Sequence, residues 1–484
     1  MAGTLIIRSD AAPHIGTGHV MRCIALACAA REQGLDVMLS GRMGVDWLKK
    51  RLRATGLPFR ELPGNVPQRE LPADLLAQLS GSAKDWVVLD GYHFGPDCHK
   101  AISEAGYKLL VVDDYCHLPE YNCDILFNQN IGAEKLQYQG NLGQKLLGPR
   151  YAMLRPEFLA SRKRATQRQF PPKARHILLS LGGGDFSNEL EGLAPLLVQK
   201  ELAGTTLRVI AGAMPEAQVR SILADCPASL EVLTHVDDMP SLMHWADLCV
   251  SAGGSTCWEL CCLGVPFLTI EIANNQREIV KGLATLGVAP VLELETLRHM
   301  ITDADARRVA SAAGLTIVDG NGAARVIAMM CKSPCLLREA EPRDCSFVWQ
   351  VAGASEVRAV SGSTLPIPWE THKTWYSARL MDAGTHFYII ENPTATPLGY
   401  MRFQKDGDAV IVSIALTAKA RSRGVGTYAL REGCRLVREY WPNNTVQAYI
   451  APENEASRKA FSRAGFAPGS EVNLNGRTMV CFTY

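Results

Sequence analysis

Thr4-Leu-Ile-Ile-Arg8, followed by Asp10-Ala-Ala-Pro-His-Ile-Gly16-Thr17-Gly18-His19-Val-Met-Arg22, sets a short apolar run directly against a glycine turn and the opening of a helix. The glycines permit a tight backbone turn, and Val20, Ile24, Leu26 and Ala27 continue with helical spacing. Strand, turn and helix then repeat. Runs at 37–39, 86–90 and 109–113 read as further strands, with helices at about 19–33, 44–54 and 97–105 between them. Such alternation implies a parallel sheet covered by helices on both faces. After about Tyr151 the periodicity stops, and Pro156, Arg162-Lys163-Arg164, Pro171 and Pro172 read as a polar connection.

A second alternating unit begins at His176-Ile-Leu-Leu-Ser-Leu181 and continues with strands at 207–210, 230–233, 248–251 and 267–270. It closes in helical sequence near 294–331, and Lys332-Ser-Pro334 with Glu341-Pro342 marks a boundary. The remainder changes character: a helix with aromatic anchors near 369–381, strands at 386–391, 398–403 and 409–417, a helix at 425–440, a strand at 445–450 and a helix at 454–464. The expected fold class is α/β, with Rossmann-like domains at 1–150 and 151–335 and a separate α/β unit at 343–484. At roughly 100–200 residues per domain, 484 residues accommodate three cores.

Fifty Lys and Arg balance forty-nine Asp and Glu, so no global field steers the chain onto nucleic acid or an anionic membrane. Fifteen cysteines are an odd, scattered set without a C-x-x-C pair, unlike a disulfide framework. Cys257, Cys261 and Cys262 sit among Trp258, Leu260 and Leu263 and read as reduced thiols in a core, so no structural zinc is expected. The first apolar run is too short for a signal-peptide core, and no run approaches the ~20 residues needed to span a bilayer. The expectation is a soluble, reducing, cytoplasmic protein with no nucleic-acid or membrane partner.

His19 falls in the opening turn of its helix, where free amides and the dipole disfavour an imidazolium, which suits a neutral proton acceptor. The carboxyl edge of a parallel sheet is where α/β enzymes place their chemistry. A structural turn whose histidine merely packs fits these residues equally well, and without a third glycine the loop does not match the dinucleotide fingerprint. The wider pattern is more specific. Arg8-Ser-Asp10, Ile15-Gly-Thr-Gly-His-Val-Met-Arg-Cys23, Val88-Leu-Asp90-Gly-Tyr92, Val112-Asp113-Asp114, Leu147-Gly-Pro-Arg-Tyr151 and Leu181-Gly-Gly-Gly-Asp185 occur in order. Together they resemble the nucleotide-sugar hydrolases of pseudaminic acid biosynthesis over about residues 4–330.

That resemblance implies two lobes of the glycosyltransferase B type. It also implies cleavage of UDP-2,4-diacetamido-2,4,6-trideoxy-β-L-altropyranose to UDP and free sugar with His19 as base; no metal-ligand cluster is apparent in the sequence, consistent with a metal-independent reaction. Asp10, Gly18, Arg22 and Tyr92 are candidates to orient His19 or the sugar. For Asp10 and Arg22 a structural ion pair is an equal reading. His14, His93, His99, His117, His235, His244 and His299 read as surface or packing residues, with His93 singled out because it adjoins Tyr92.

In the second unit, Leu248-Cys-Val-Ser-Ala-Gly253-Gly254-Ser255-Thr256-Cys-Trp-Glu259 reads as strand, turn and helix start. Ser255 and Thr256 are placed to cap free amides, and those amides offer a diphosphate cradle. Glu259, one turn on, is placed to accept from two ribose hydroxyls. An ordinary βα turn with a serine cap explains the same stretch. Gly264-Val-Pro266 and Asn274-Asn275-Gln276 follow as they do in B-type transferases that grip a UDP-sugar. By that resemblance Gly253, Gly254, Ser255 and Thr256 take the diphosphate, Glu259 the ribose, and Asn275 and Gln276 the sugar or phosphate.

Near the C-terminus, Val412-Ser-Ile-Ala-Leu-Thr-Ala-Lys-Ala-Arg421-Ser-Arg423-Gly424-Val-Gly426-Thr427 precedes Asn454-Glu-Ala-Ser457-Arg-Lys-Ala-Phe461-Ser-Arg-Ala-Gly465-Phe466. The basic glycine turn suits a pyrophosphate. In order and spacing the pair resembles the GNAT superfamily, which implies acetyl-CoA as cosubstrate. Ile414, Ala415 and Leu416 would then meet the pantetheine arm, Arg421, Ser422, Arg423, Gly424, Val425, Gly426 and Thr427 the pyrophosphate, and Asn454 the cofactor. Phe461 stands where many members carry the tyrosine acid, and core packing explains it. His372-Lys-Thr-Trp375 reads as packing or as an acceptor pocket. The two resemblances imply acetylation of a UDP-4-amino-sugar followed by loss of UDP. The alternative is a B-type glycosyltransferase with a tail acting on another amine.

Overall fold

Seven parallel strands form the first sheet: β1 (Thr4–Ser9), β2 (Asp36–Gly41), β3 (Phe59–Glu61), β4 (Trp86–Asp90), β5 (Lys108–Val112), β6 (Cys123–Asn128) and β7 (Leu142–Leu147), ordered β3-β2-β1-β4-β5-β6-β7. The computed structural model describes residues 3–12, 15–79, 81, 85–361, 364–474 and 476–484, so His14 lies outside the described residues. β1, β4 and β5 are apolar and buried along nearly their whole length because helices such as Gly18–Glu32 and Pro96–Glu104 cover them. The strand order reverses between β1 and β4, which opens a crevice at their carboxyl ends.

The second sheet, also parallel, runs β10-β9-β8-β11-β12, with β8 (His176–Ser180), β9 (Thr206–Ile210), β10 (Ser229–Leu233), β11 (Leu248–Ala252) and β12 (Phe267–Ile270). Its reversal falls between β8 and β11. The stretch after Tyr151, expected as a polar connection, instead contains the helix Pro156–Arg162. Pro156 occupies the first helical turn, where its missing N–H costs nothing. Phe158 is fully buried, and Arg162 donates to the carbonyls of Cys262 (2.8 Å), Val318 (2.7 Å) and Leu315 (2.9 Å). A basic residue here closes helix ends rather than facing water.

The chain divides into two compact units, residues 1–327 and 328–484. The second holds a seven-stranded sheet, β13-β14-β15-β16-β17-β19-β18, with β13 (Leu336–Glu339), β14 (Thr385–Glu391), β15 (Pro397–Asp406), β16 (Ala409–Leu416), β17 (Thr445–Ile450), β18 (Ala467–Leu474) and β19 (Arg477–Thr483). β13 lies in the stretch read as a boundary, yet it pairs antiparallel with β14. β16 and β17 are the parallel pair, registered only at Ala409↔Thr445, Val410↔Val446 and Ile411↔Gln447. One face, carrying Met401, Phe403, Val412 and Ala448, packs against the helices Val425–Tyr440 and Glu455–Ala464. The contact is close: a Cβ on Gly433 would lie 2.2 Å from Met401 Cε. The opposite face meets the helices Cys345–Gly353 and Trp369–Met381 through Val348, Tyr376, Phe387 and Ile389.

All fifteen cysteines are free thiols, and Cys257, Cys261 and Cys262 are fully buried. Among the described residues no helix is long and apolar enough to cross a membrane.

Candidate functional site

His19 lies in the first turn of the helix Gly18–Glu32, at the carboxyl end of β1, and Asp90 ends the neighbouring β4. The topology brings them together at the reversal point of the first sheet. His19 Nδ1 is 2.6 Å from Asp90 Oδ1, and the carboxylate is fully buried. Burial alone would raise the Asp90 carboxyl, but Arg22 and His19 hold it below the usual carboxylate range. Arg22 supplies two of its bonds, Nε to Oδ2 at 2.6 Å and Nη2 to Oδ1 at 2.7 Å. Arg22 Nη2 also lies 3.0 Å from Nδ1, but the shorter contact to a charged acceptor favours the tautomer with hydrogen on Nδ1, which leaves Nε2 with the lone pair.

Asp114, just past β5, is the second carboxylate on Arg22, at 2.7 Å from Nη1. It also accepts from the Tyr92 hydroxyl (2.8 Å) and from Asn130 Nδ2 (3.2 Å). The Tyr92 ring stands edge-on to His19 with centroids 5.0 Å apart, and at the same distance from His117. His117 forms a second imidazole–carboxylate pair, Nδ1 to Asp113 Oδ1 at 2.7 Å. Asp113 also receives the hydroxyls of Tyr121 and Tyr138, each at 2.8 Å, so this carboxylate anchors the loop after β5.

Asp10 and Arg22 do not pair with each other, so the proposed ion pair between them is corrected. Asp10 turns toward the end of β2, where it accepts from Arg8 Nη1 (2.9 Å) and the Arg42 amide (2.6 Å) and lies 2.8 Å from His93 Nε2. This cluster ties the loop that carries Gly16 and Gly18 to the neighbouring strand. His93 therefore belongs to the loop's support rather than to the surface. Asp10, Glu70 and His93 form the one trio of potential metal ligands among the described residues. Arg8 and Arg42 stand on those carboxylates, with Arg42 Nη1 2.8 Å from Glu70, and already neutralise them. Of the remaining histidines, His99 is fully buried, His244 meets the Ser161 carbonyl at 3.1 Å, and His235 and His299 are exposed.

The glycine loops after β8 and β11 face the His19 loop. A Cβ on Gly18 would lie 3.8 Å from Ser255 Oγ, and one on Gly183 would lie 3.7 Å from Thr17 Oγ1. Asn275 lies near the Tyr92 hydroxyl. Gly253 has no room for a side chain, since a Cβ would meet Val280 Cγ2 at 2.6 Å. Its amide is engaged by Ile270 O (3.0 Å) and Gln276 Oε1 (3.2 Å), and the Gly254 amide by Ala252 O (2.8 Å). Gln276 thus braces the turn. Ser255 starts the helix Thr256–Cys262 with helical backbone and no side-chain cap, contrary to the capping expectation, so its hydroxyl stays clear of the helix amides. The Ser255 and Thr256 amides make no hydrogen bond among the described residues. Burial raises the Glu259 carboxyl, against the pull of Arg155, whose Nη2 lies 3.3 Å away.

In the second unit, β16 and β17 part beyond Ile411, so the β17-facing side of Ile414, Ala415 and Leu416 has no strand partner. The turn after β16 holds Ser422 at φ 59° and Gly424 at φ 78°, and Val425, Gly426 and Thr427 begin the long helix behind it. Arg421 folds back on the Leu416 carbonyl (3.0 Å), whereas Arg423 is exposed. Asn454 caps the helix Glu455–Ala464 by accepting from the Ser457 amide (3.1 Å), and Thr427 Oγ1 reaches Ala460 O (3.4 Å). Phe461 packs edge-on against Phe466, with centroids 4.9 Å apart. His372 is buried, with Nε2 3.1 Å from the Cys345 carbonyl, which is the packing arrangement.

Asp90, Asp113 and Asp114 lie within the sequence motifs, but the sequence alone assigns them no role. The available signal was a carboxylate closing a run of otherwise apolar strand residues. His117 and Asp113 carried a second signal in their four-residue spacing.

Known proteins resemble this chain in matching segments. Residues 180–310 match the glycosyltransferase family 28 C-terminal domain, and residues 335–467 match the acetyltransferase (GNAT) domain. A Campylobacter jejuni UDP-2,4-diacetamido-2,4,6-trideoxy-beta-L-altropyranose hydrolase is 25% identical over 293 residues, 58% of this chain and 97% of that protein. The spore coat polysaccharide biosynthesis protein SpsG of Bacillus subtilis is 28% identical over 339 residues, 67% of this chain and 96% of that protein. An uncharacterized protein of Methanocaldococcus jannaschii is 25% identical over 282 residues, and the match spans 57% of each chain. The chain is a homologue of the Campylobacter hydrolase and of SpsG, with a glycosyltransferase family 28 C-terminal domain in its first compact unit and a GNAT acetyltransferase domain at its C-terminal end.

Proposed function

We propose that the chain is a bifunctional, cytoplasmic nucleotide-sugar enzyme of pseudaminic acid biosynthesis. Residues 1–150 and 151–335 hydrolyse UDP-2,4-diacetamido-2,4,6-trideoxy-β-L-altropyranose, and residues 343–484 use acetyl-CoA to acetylate the 4-amino group of its UDP-sugar precursor. The observation that carries the hydrolase reading is the His19–Asp90 pair, 2.6 Å apart at one sheet reversal and opposite the Ser255 turn at the other. His19 Nε2 removes a proton from water as the water oxygen bonds to C1. The C1–oxygen bond breaks with its electron pair leaving on UDP, and the proton on His19 returns to solvent. The diphosphate spreads the departing charge, and the Ser255 and Thr256 amides receive it. Single displacement inverts the anomeric centre. Asp90 and Arg22 position His19, Tyr92 and Asn275 meet the sugar, and Glu259 meets the ribose.

Family 28 also names glycosyltransferases, so the deciding experiment contrasts water with a sugar acceptor. The full chain with the UDP-sugar in H2(18)O should release UDP without acceptor and place 18O on C1 of the free sugar. Release of UDP only when an acceptor is added, or 18O in the UDP, would overturn the hydrolase reading.

A further inference from the structure

On the face of the C-terminal sheet away from the helix Val425–Tyr440, alternation along β15 places Tyr400 and Arg402 side by side. Cross-strand register sets Ser413 opposite Arg402 and Ala415 opposite Tyr400, and the parallel pair Ile411↔Gln447 puts Gln447 and Tyr449 on the same face. Tyr400, Arg402, Ser413, Gln447 and Tyr449 are all half-buried, a polar row beside the gap where β16 and β17 part.

Arg402 is the unusual member. Its guanidinium lies 5.2 Å from the Trp375 ring centroid, its Nε is buried without a partner, and it makes no hydrogen bond or ion pair among the described residues. Arginines buried elsewhere have their forks answered: Arg22 and Arg338 each stand on two carboxylates, and Arg162 and Arg307 donate to backbone carbonyls. A cation fixed by an aromatic ring with its fork unanswered is arranged for an anion that arrives with a ligand. It sits on the strand next to Ile414–Leu416, the stretch assigned to the acetyl-CoA arm, but on the sheet face remote from the helix that begins at the glycine turn.

We propose that Arg402 is the anion-recognition residue of the acetyltransferase acceptor site, and that the acceptor is an amine carrying a phosphate or diphosphate. With the acetylation reading above, on which this rests, the anion is the diphosphate of the UDP-amino-sugar. Tyr400 and Ser413, its neighbours on the face, supply further hydrogen bonds to that group.

The test measures CoA release by the full chain with paired acceptors: UDP-4-amino-sugar against the free 4-amino-sugar, and glucosamine 6-phosphate against glucosamine. A charge-assisted contact predicts that Arg402→Gln raises KM for the phosphorylated member of a pair by roughly ten- to hundredfold. kcat and the KM for acetyl-CoA should stay within about twofold, and Arg402→Lys should recover part of the loss. Equal losses for charged and neutral acceptors, no loss at all, or a wild type that acetylates only neutral amines would overturn the proposal. If glucosamine 6-phosphate turns over in an Arg402-dependent way while the UDP-amino-sugar does not, the anion site stands and the assignment of the UDP-sugar as acceptor fails.

Discussion

Replacing Asp90 by Asn keeps the volume of the buried group and removes its charge, which isolates what the carboxylate does for His19. Oδ1 faces two donors, His19 Nδ1 at 2.6 Å and Arg22 Nη2 at 2.7 Å, and Oδ2 faces Arg22 Nε at 2.6 Å. An amide has one acceptor oxygen, so its NH2 must face either Arg22 Nε or the imidazole. The first arrangement sets donor against donor. The second also sets the NH2 against Arg22 Nη2, turns His19 Nδ1 into an acceptor, moves the ring hydrogen to Nε2 and removes the lone pair that takes the proton from water. Loss of the general base corresponds to about 100- to 10,000-fold in kcat, or ~3–5 kcal/mol of barrier. Stability should fall by about 2–3 kcal/mol, below the usual cost of breaking a buried ion pair, because Asp114 still answers Arg22. Asp114→Asn is the matched control, since it also removes one carboxylate from Arg22 but does not touch His19. The assay is steady-state UDP release beside urea unfolding of all three proteins. Equal activity losses in the two variants, or full activity in Asp90→Asn, would refute the orienting role.

Other outcomes follow from the same geometry. Glu259→Gln should raise KM for the UDP-sugar by about tenfold with kcat little changed, as expected when a binding contact common to ground and transition states is lost; initial-rate kinetics will read it. Gly433→Ala should destabilise the acetyltransferase domain by about 1–3 kcal/mol, because its Cβ would fall 2.9 Å from two atoms of the buried Phe403 ring as well as against Met401 Cε, and denaturant unfolding of the full chain will report it. Asp90 and Asp114 sit below the ordinary carboxylate range, burial opposing the shift and Arg22 outweighing it. Groups depressed in the folded state stabilise it above their unfolded value and lose that contribution as pH falls through the folded one. The unfolding midpoint should therefore hold from pH 7 to about 5 and decline below about 4, and Asp114→Asn should flatten the decline in a pH series of thermal melts.

The central strands were legible because a parallel strand buried on both faces is written as an uninterrupted apolar run, as at Leu5–Ile7 and Val87–Leu89. β3 has only three residues, and β7 carries Gly143, Gln144 and Lys145 on an edge, so neither has that signature. Pro156 reads as a breaker in sequence and acts as a helix starter in the fold, a distinction set by its neighbours rather than by its identity. At the site, His19 was legible from its glycine turn. Its partner was not, because Asp90 is 71 residues away and only the order of the strands makes the two adjacent. Asp10 misled for the converse reason. It is nearer to Arg22 in sequence, but the loop turns its side chain to Arg8, Arg42 and His93. Arg402 gave no signal, since a lone basic residue in a strand shows its missing counter-charge only after folding.

The rate of UDP release from the UDP-sugar by His19→Ala, without acceptor and beside the unaltered chain, tests the imidazole's part most directly. At least a hundredfold slower release is expected, with the melting profile and acetyl transfer preserved. Release at the unaltered rate would mean that some other group activates the water.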